Sequence, residues 1–219
     1  MNSDDVIESF EHAGRTVTIY RDDQCEDPRK SDNIAILVCA HRRYVLGDEQ
    51  IREPLTDAEI RESVPDVLAI LPLYLYDHSG ITISTRPFSC RFDSGQVGWA
   101  YVTKASAEKM GEPGDQERFE EIIRQEVKTY DDYITGRCYG YVVYGVEGDQ
   151  IDSGWGFVGD LDYVRQEAKN AAEGSEDPAA QRQADAFAAR ATYAAGGDSE
   201  PARSASLTDD RNVTTLVRS

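Results

Sequence analysis

Between His78 and Ala107 the chain carries a single carboxylate, Asp93, although Asp and Glu supply 41 of its 219 residues. A stretch kept so nearly free of acids in an acidic chain points to a β core, because a packed interior excludes charge of either sign. The window reads that way. "GITISTR" alternates apolar and polar positions, the pattern of a strand with one buried face, and "QVGWAYVTK" reads as another strand. "VLAILPLYLYD" precedes them, and its Pro72 argues for an edge, a bend or a helix-to-strand change rather than a central strand.

Two further strands are expected at "RTVTIYRDD" and "NIAILVCA", separated by the polar loop "DQCEDPRKSDN". Thr56 and Glu59 stand at capping-box spacing and open a short helix. The strongest helical signal is "DQERFEEIIRQEVKTYDDYI". There Phe119, Ile122, Ile123, Val127, Tyr130 and Ile134 recur at three- and four-residue steps, and Gly136 suits the position just past the end. "RCYGYVVYGVEGDQIDSGWGFVG" is a hairpin turning at Glu147-Gly148-Asp149, and Asp160 caps a helix after it. These elements predict an α+β fold with a mainly antiparallel sheet and one long amphipathic helix. Composition shifts to Ala, Asp, Ser and Arg near Gly174. Residues 1–172 are therefore expected to form one domain. Residues 173–219 are expected to be a largely disordered tail with an Ala-rich helical stretch around 178–195.

The net charge is -18, and the only lysines are Lys30, Lys104, Lys109, Lys128 and Lys169 among 23 basic residues. Many carboxylates, few lysines and many small residues suit a protein working in molar salt, where the Debye length is about 3 Å and acids repel one another little. The sharper alternative is an acidic surface that mimics DNA. No apolar run approaches the about 20 residues a membrane helix needs. With an acidic N-terminal sequence, this predicts a cytoplasmic protein without membrane contact. Cys25, Cys39, Cys90 and Cys138 are widely spaced, and free thiols are expected.

The sequence contains no P-loop, G-x-S-x-G, H-E-x-x-H or C-x-x-C pattern, and neither a cofactor nor a metal is expected. Cys39, His41, His78 and Cys90 would make a soft metal site only if three segments converged. "HRRY", His41 to Tyr44, lies in a second acid-free stretch, Asn33 to Gly47. Arg42 and Arg43 there offer forked contacts to phosphate or carboxylate, or pair with the protein's own acids. Asp77 and His78 supply a carboxylate and an imidazole at a turn, which serves either chemistry or the turn itself. Cys90 between Arg86 and Arg91, with Asp93, Ser94 and Gln96 after it, is a candidate nucleophile that would need His41 or His78 as base.

Taken together, "DNIAILVCAHRRYVLGDE", "LPLYLYDHSGITISTRPFSCRFDSGQVGWAYVTK", "EVKTYDDYITGRCYGYVV" and "DSGWGF" resemble an uncharacterised family of bacteriophages, plasmids and integrated mobile elements. The likeness runs from about residue 15 to about residue 160, and the chain resembles a halophilic member, from a haloarchaeal virus or plasmid. Similar sequences tend to carry a cysteine where this chain has Gly154 and a tryptophan where it has Phe92. The resemblance implies a mobile-element accessory protein acting in a host cytoplasm on a host protein or nucleic acid.

Core formation does not account for His78, Arg86 and Arg91. The expectation is that they join His41, Arg42, Arg43 and Gln96 around one cationic cleft for an anionic partner: a nucleic acid, a nucleotide or an acidic protein surface. The alternative is a phosphodiester or nucleotide hydrolase using Asp77, His78 and Asp93, with Cys90 as a further candidate.

Overall fold

The structure is a computed structural model describing residues 5–195, with side chains described to residue 190. The nine strands are β1 (Val6–His12), β2 (Arg15–Arg21), β3 (Ile36–Cys39), β4 (Glu49–Gln50), β5 (Val67–Asp77), β6 (Ile81–Ser84), β7 (Ser94–Thr103), β8 (Cys138–Tyr144) and β9 (Gln150–Val158). The helices are α1 (Asp57–Ser63), α2 (Lys104–Met110), α3 (Gln116–Ile134), α4 (Leu161–Gly174) and α5 (Pro178–Ala195).

The strands form two sheets. One has the order β1-β2-β8-β9 and the other β4-β3-β7-β5-β6. Every pairing is antiparallel except the short β3–β4 pair, so the α+β, antiparallel-rich expectation holds. What the sequence reading lacks is the division. β2 leaves the first sheet, the chain builds the whole second sheet and its helices, and β8 returns to pair with β2, Thr16 opposite Tyr144. β1 and α2 are elements to which the sequence reading assigned nothing.

Helix α3 covers one face of the five-stranded sheet. Its apolar stripe, Phe119, Ile122, Ile123, Val127 and Tyr130, is buried against Leu37, Leu73, Ile83, Ala100 and Val102. Each fully buried residue of this size contributes about 1.5–3 kcal/mol by leaving water. α1 covers the opposite face through Ile60, against Val38 and Tyr101. Its capping box forms as the spacing predicts: Thr56 Oγ1 accepts from Glu59 N, and Glu59 Oε2 accepts from Thr56 N. α4, capped by Asp160, buries Val164, Ala168 and Ala172 on Val17, Ile19, Tyr141 and Val143 of the four-stranded sheet. Pro72 lies in β5 opposite Trp99, where β6, which pairs only with Tyr74–Asp77, is absent. A residue without an N–H is tolerated there because β5 has only one neighbour at that point.

Buried ion networks pin the layers. Arg29, its side chain 4% exposed, donates to Asp48 (2.6 and 3.0 Å), Glu126 (2.9 Å), Asn33 Oδ1 (3.0 Å) and Ala35 O (2.6 Å). Burial works against its charge, but the two carboxylates outweigh this and hold its pKa above the usual value. At the end of α3, Asp131 accepts from Thr82 Oγ1 (2.5 Å), Ile83 N (2.9 Å) and Arg137 (2.8 Å). Asp132 binds both Lys128 and Arg137.

Helix α4 runs through the expected boundary near residue 172, and Ser175 Oγ still donates to Asp152 (2.6 Å). Asp177 accepts from Val146 N (3.0 Å), and the chain divides after Asp177 by its contacts. The following unit contains α5, over the Ala-rich stretch where a helix was expected. Residues 196–219 of the expected tail lie outside the described residues. No described helix is long and apolar enough to cross a membrane.

Candidate functional site

At one end of the five-stranded sheet, three chain reversals meet. β3 leaves its ladder at Ala40, whose N–H donates to Val97 O (2.7 Å). His41 then folds the chain back, its Nδ1 accepting from Arg43 N (3.3 Å) and Tyr44 N (3.2 Å). That acceptor role leaves Nε2 as the protonated nitrogen of the neutral ring. The imidazole stacks on Tyr44 at 4.9 Å between centroids, and the Arg43 guanidinium sits 5.5 Å from the Tyr44 ring centroid. His41 is thus the organiser of a cationic loop.

The second reversal follows β5, with Ser79 at φ 59 and Gly80 at φ 153. Asp77 reaches across to the first loop: Arg43 ion-pairs with it, and Tyr44 Oη donates to Asp77 Oδ1 (3.3 Å). The third segment returns from β6 to β7 and is anchored by Asp77 N donating to Asp93 O (2.8 Å). Phe88 packs on Tyr76 at 5.7 Å. Asp93 Oδ2 lies 3.4 Å from His78 Nδ1 and accepts from Cys90 Sγ at 3.6 Å. His41, Arg43, Tyr44, Asp77, His78, Cys90 and Asp93 therefore form one connected cluster assembled from three segments.

The cluster's chemistry is limited by how its members are joined. Asp93 stands between the Cys90 thiol and the His78 imidazole, so the direct proton path of a Cys–His pair is not formed. Asp77 is occupied by Arg43 and Tyr44. Among the described residues, no three His, Cys, Asp or Glu groups form a metal-binding arrangement. Cys39 lies in the core, where burial, with the Asp48 charge adding to it, pushes the thiol up to about 12, far from a ready thiolate ligand.

The arginines sort into two kinds. Arg29, Arg61, Arg118, Arg124, Arg137 and Arg165 each hold a carboxylate, as Arg43 does. Arg42, Arg86 and Arg91 are exposed and, like Arg21 and Arg52, have no ion-pair partner among the described residues. Arg42 and Arg91 belong to the first and third segments. Arg86, also on the third segment, lines a depression of about 370 Å³ beside α3, with Thr82, Phe88, Arg124, Lys128 and Asp131. The expected cleft residues are thus divided between the loop cluster and this depression, which meet at Phe88. Gln96 is exposed on β7, its side chain donating to Gly98 O (3.3 Å).

The sequence reading missed the apolar tips. Val45 is 84% exposed and Phe92 99% exposed, each one residue from the cluster. A phenylalanine without packing is the signal for such a tip, and alternation cannot reveal it in a loop. Tyr44, which joins the first loop to Asp77, was equally unassigned.

Comparison with known proteins adds no relative: no family model, no curated protein and no solved structure matches this chain.

Proposed function

We propose that the protein is a non-catalytic binding protein whose loops at the end of the five-stranded sheet take a nucleic-acid strand. The observation carrying this is a bare Phe92 ring beside Arg91, with Arg42 on the first loop and, among the described residues, no carboxylate paired to either arginine. Arginines contact phosphate through forked hydrogen bonds, and an exposed aromatic ring stacks on a base of any sequence. Arg43 and Asp77 hold the first loop in place, which lowers the ordering cost on binding. The resemblance to mobile-element proteins gives the setting, an accessory protein acting in a host cytoplasm. In molar salt long-range attraction is screened, so close contacts and stacking carry the affinity. The connected but mutually occupied Asp77, His78, Cys90 and Asp93 favour binding over hydrolysis.

The test is fluorescence anisotropy with a labelled single-stranded oligonucleotide. Arg42→Ala with Arg91→Ala is expected to weaken binding about 100-fold or more, and Phe92→Ala by about tenfold. Unchanged affinity in both variants overturns the reading. Shortening of the oligonucleotide, abolished by Asp93→Asn, would establish the hydrolase instead.

A further inference from the structure

An open cleft of about 550 Å³ lies on the four-stranded half, away from the residues used above. Asp5, Tyr20, Arg21, Asp22, Asp23, Gln24 and Trp155 line it. Its size is within the range of small-ligand sites, roughly 300–1,000 Å³. The wall is aromatic. Trp155, 44% exposed, stands with its ring centroid 6.0 Å from that of Tyr20, and Tyr20 Oη is fixed by Tyr144 Oη at 3.1 Å. The indole lies directly over Gly140: a Cβ there would stand 2.1 Å from Trp155 Cε3. This bare backbone seats the ring and leaves its remaining surface toward solvent.

The rim is preorganised and anionic. Asp22 accepts from Gln24 N and from Gly156 N, both at 3.0 Å, which ties the loop after β2 to the residue following Trp155. Asp5 and Asp23 have no hydrogen bond or ion pair among the described residues, and Arg21 is the one cation in the lining. Three carboxylates against one guanidinium repel phosphate and attract positive charge. A Trp face with carboxylates beside it is the chemistry that recognises a flat or alkylated cation.

We propose that this cleft binds an organic cation, its guanidinium or ammonium group against Trp155 and its charge met by Asp23 and Asp5. The ligand chemistry is the same whether the group belongs to an arginine side chain of a partner or to a free polyamine.

The experiment follows the indole N–H resonances of Trp155 and Trp99 by NMR in the full chain. One probe is N-acetylarginine N-methylamide and the other its citrulline counterpart, of the same shape but uncharged. The charged compound is expected to shift the Trp155 resonance saturably and leave Trp99 unmoved, with the neutral one at least about tenfold weaker. Asp23→Asn is expected to weaken binding several-fold with an unchanged melting temperature. A spermidine titration separates the sources: tighter binding by spermidine identifies a free polyamine, and weaker binding a side chain. An absent shift, an equal response to the citrulline compound, or an unaffected Asp23→Asn variant overturns the proposal.

Discussion

The loops at the end of the five-stranded sheet and the cleft on the four-stranded half expose opposite unpaired charges. Around the five-stranded sheet, the exposed groups without ion-pair partners among the described residues include Arg42, Arg86 and Arg91. Around the four-stranded sheet they include Asp5 and Asp23, which face a half-exposed tryptophan. The interior is different: the Arg29 side chain, Asp131 and Asp132 are buried and each is met by opposite charge. Charge that is matched holds the fold, and charge that is left unmatched is available to something outside it.

The largest effect should come from matched charge. Arg29→Ala leaves Asp48 and Glu126 half-buried and facing each other's charge without a cation. Both also receive backbone amides, of Leu37 and Ile34, both at 2.8 Å. The expected loss is about 3–5 kcal/mol of stability by denaturant titration, the usual result of stranding a buried partner. A loss below about 1 kcal/mol would mean that the network is not structural.

Alkaline titration reaches one thiol in each half. Burial pushes Cys39 up to about 12, and burial with the neighbouring Cys25 thiol pushes Cys138 up to about 12, against an ordinary value of 9.0. Between these values the folded chain holds protons that the unfolded chain releases, so stability falls as pH rises through this window. The loss is at most about 4 kcal/mol per thiol, since one pKa unit is worth about 1.4 kcal/mol. Denaturation midpoints measured between pH 8 and 11 should fall steadily, and Cys39→Ala should flatten the part owed to the five-stranded half. A curve that Cys39→Ala leaves unaltered would remove that assignment.

Glycine substitutions separate the halves more finely. At Gly98 a Cβ would stand 1.9 Å from Val38 O, a backbone atom in a paired strand, so the sheet itself must move. At Gly140 the obstacle is the half-exposed Trp155 indole, which can swing into solvent. Gly140→Ala should therefore cost only about 1–2 kcal/mol, the lower end for overpacking, while red-shifting tryptophan emission and removing cation binding. Gly98→Ala should cost more and shift neither. Equal costs would show that both glycines serve packing alone.

The smallest stability change is expected for Arg42→Ala combined with Arg86→Ala, within about 0.5 kcal/mol of the parent, as for surface positions without partners. A clear drop in melting temperature would mean that these arginines have internal partners after all and that the cationic surface is structural.

Much of the architecture was legible in local pattern. The α3 stripe, the Thr56–Glu59 capping box, the Asp160 cap, Gly136 at φ 73 and the Glu147-Gly148-Asp149 turn all form where spacing placed them. The reason is that periodicity, caps and turns are set by residues within a few positions of one another. The acid-poor window likewise marked both the β core and the loops that meet at its end. Three outcomes belonged to the tertiary structure alone. Strand β2 pairs with β8 across the whole five-stranded sheet, a choice among apolar edges that no local signal encodes. Arg43 found a carboxylate in Asp77 while Arg42 and Arg91 have none among the described residues, because ion pairing depends on which loops the fold brings within about 4 Å. Tyr20, Asp23 and Trp155 became one cleft only when β8 set Gly140 beneath the indole. Sequence determines which segments must be buried, since hydrophobic burial is additive and local. It does not display which distant side chains will face each other, since that depends on the geometry of the assembled sheets.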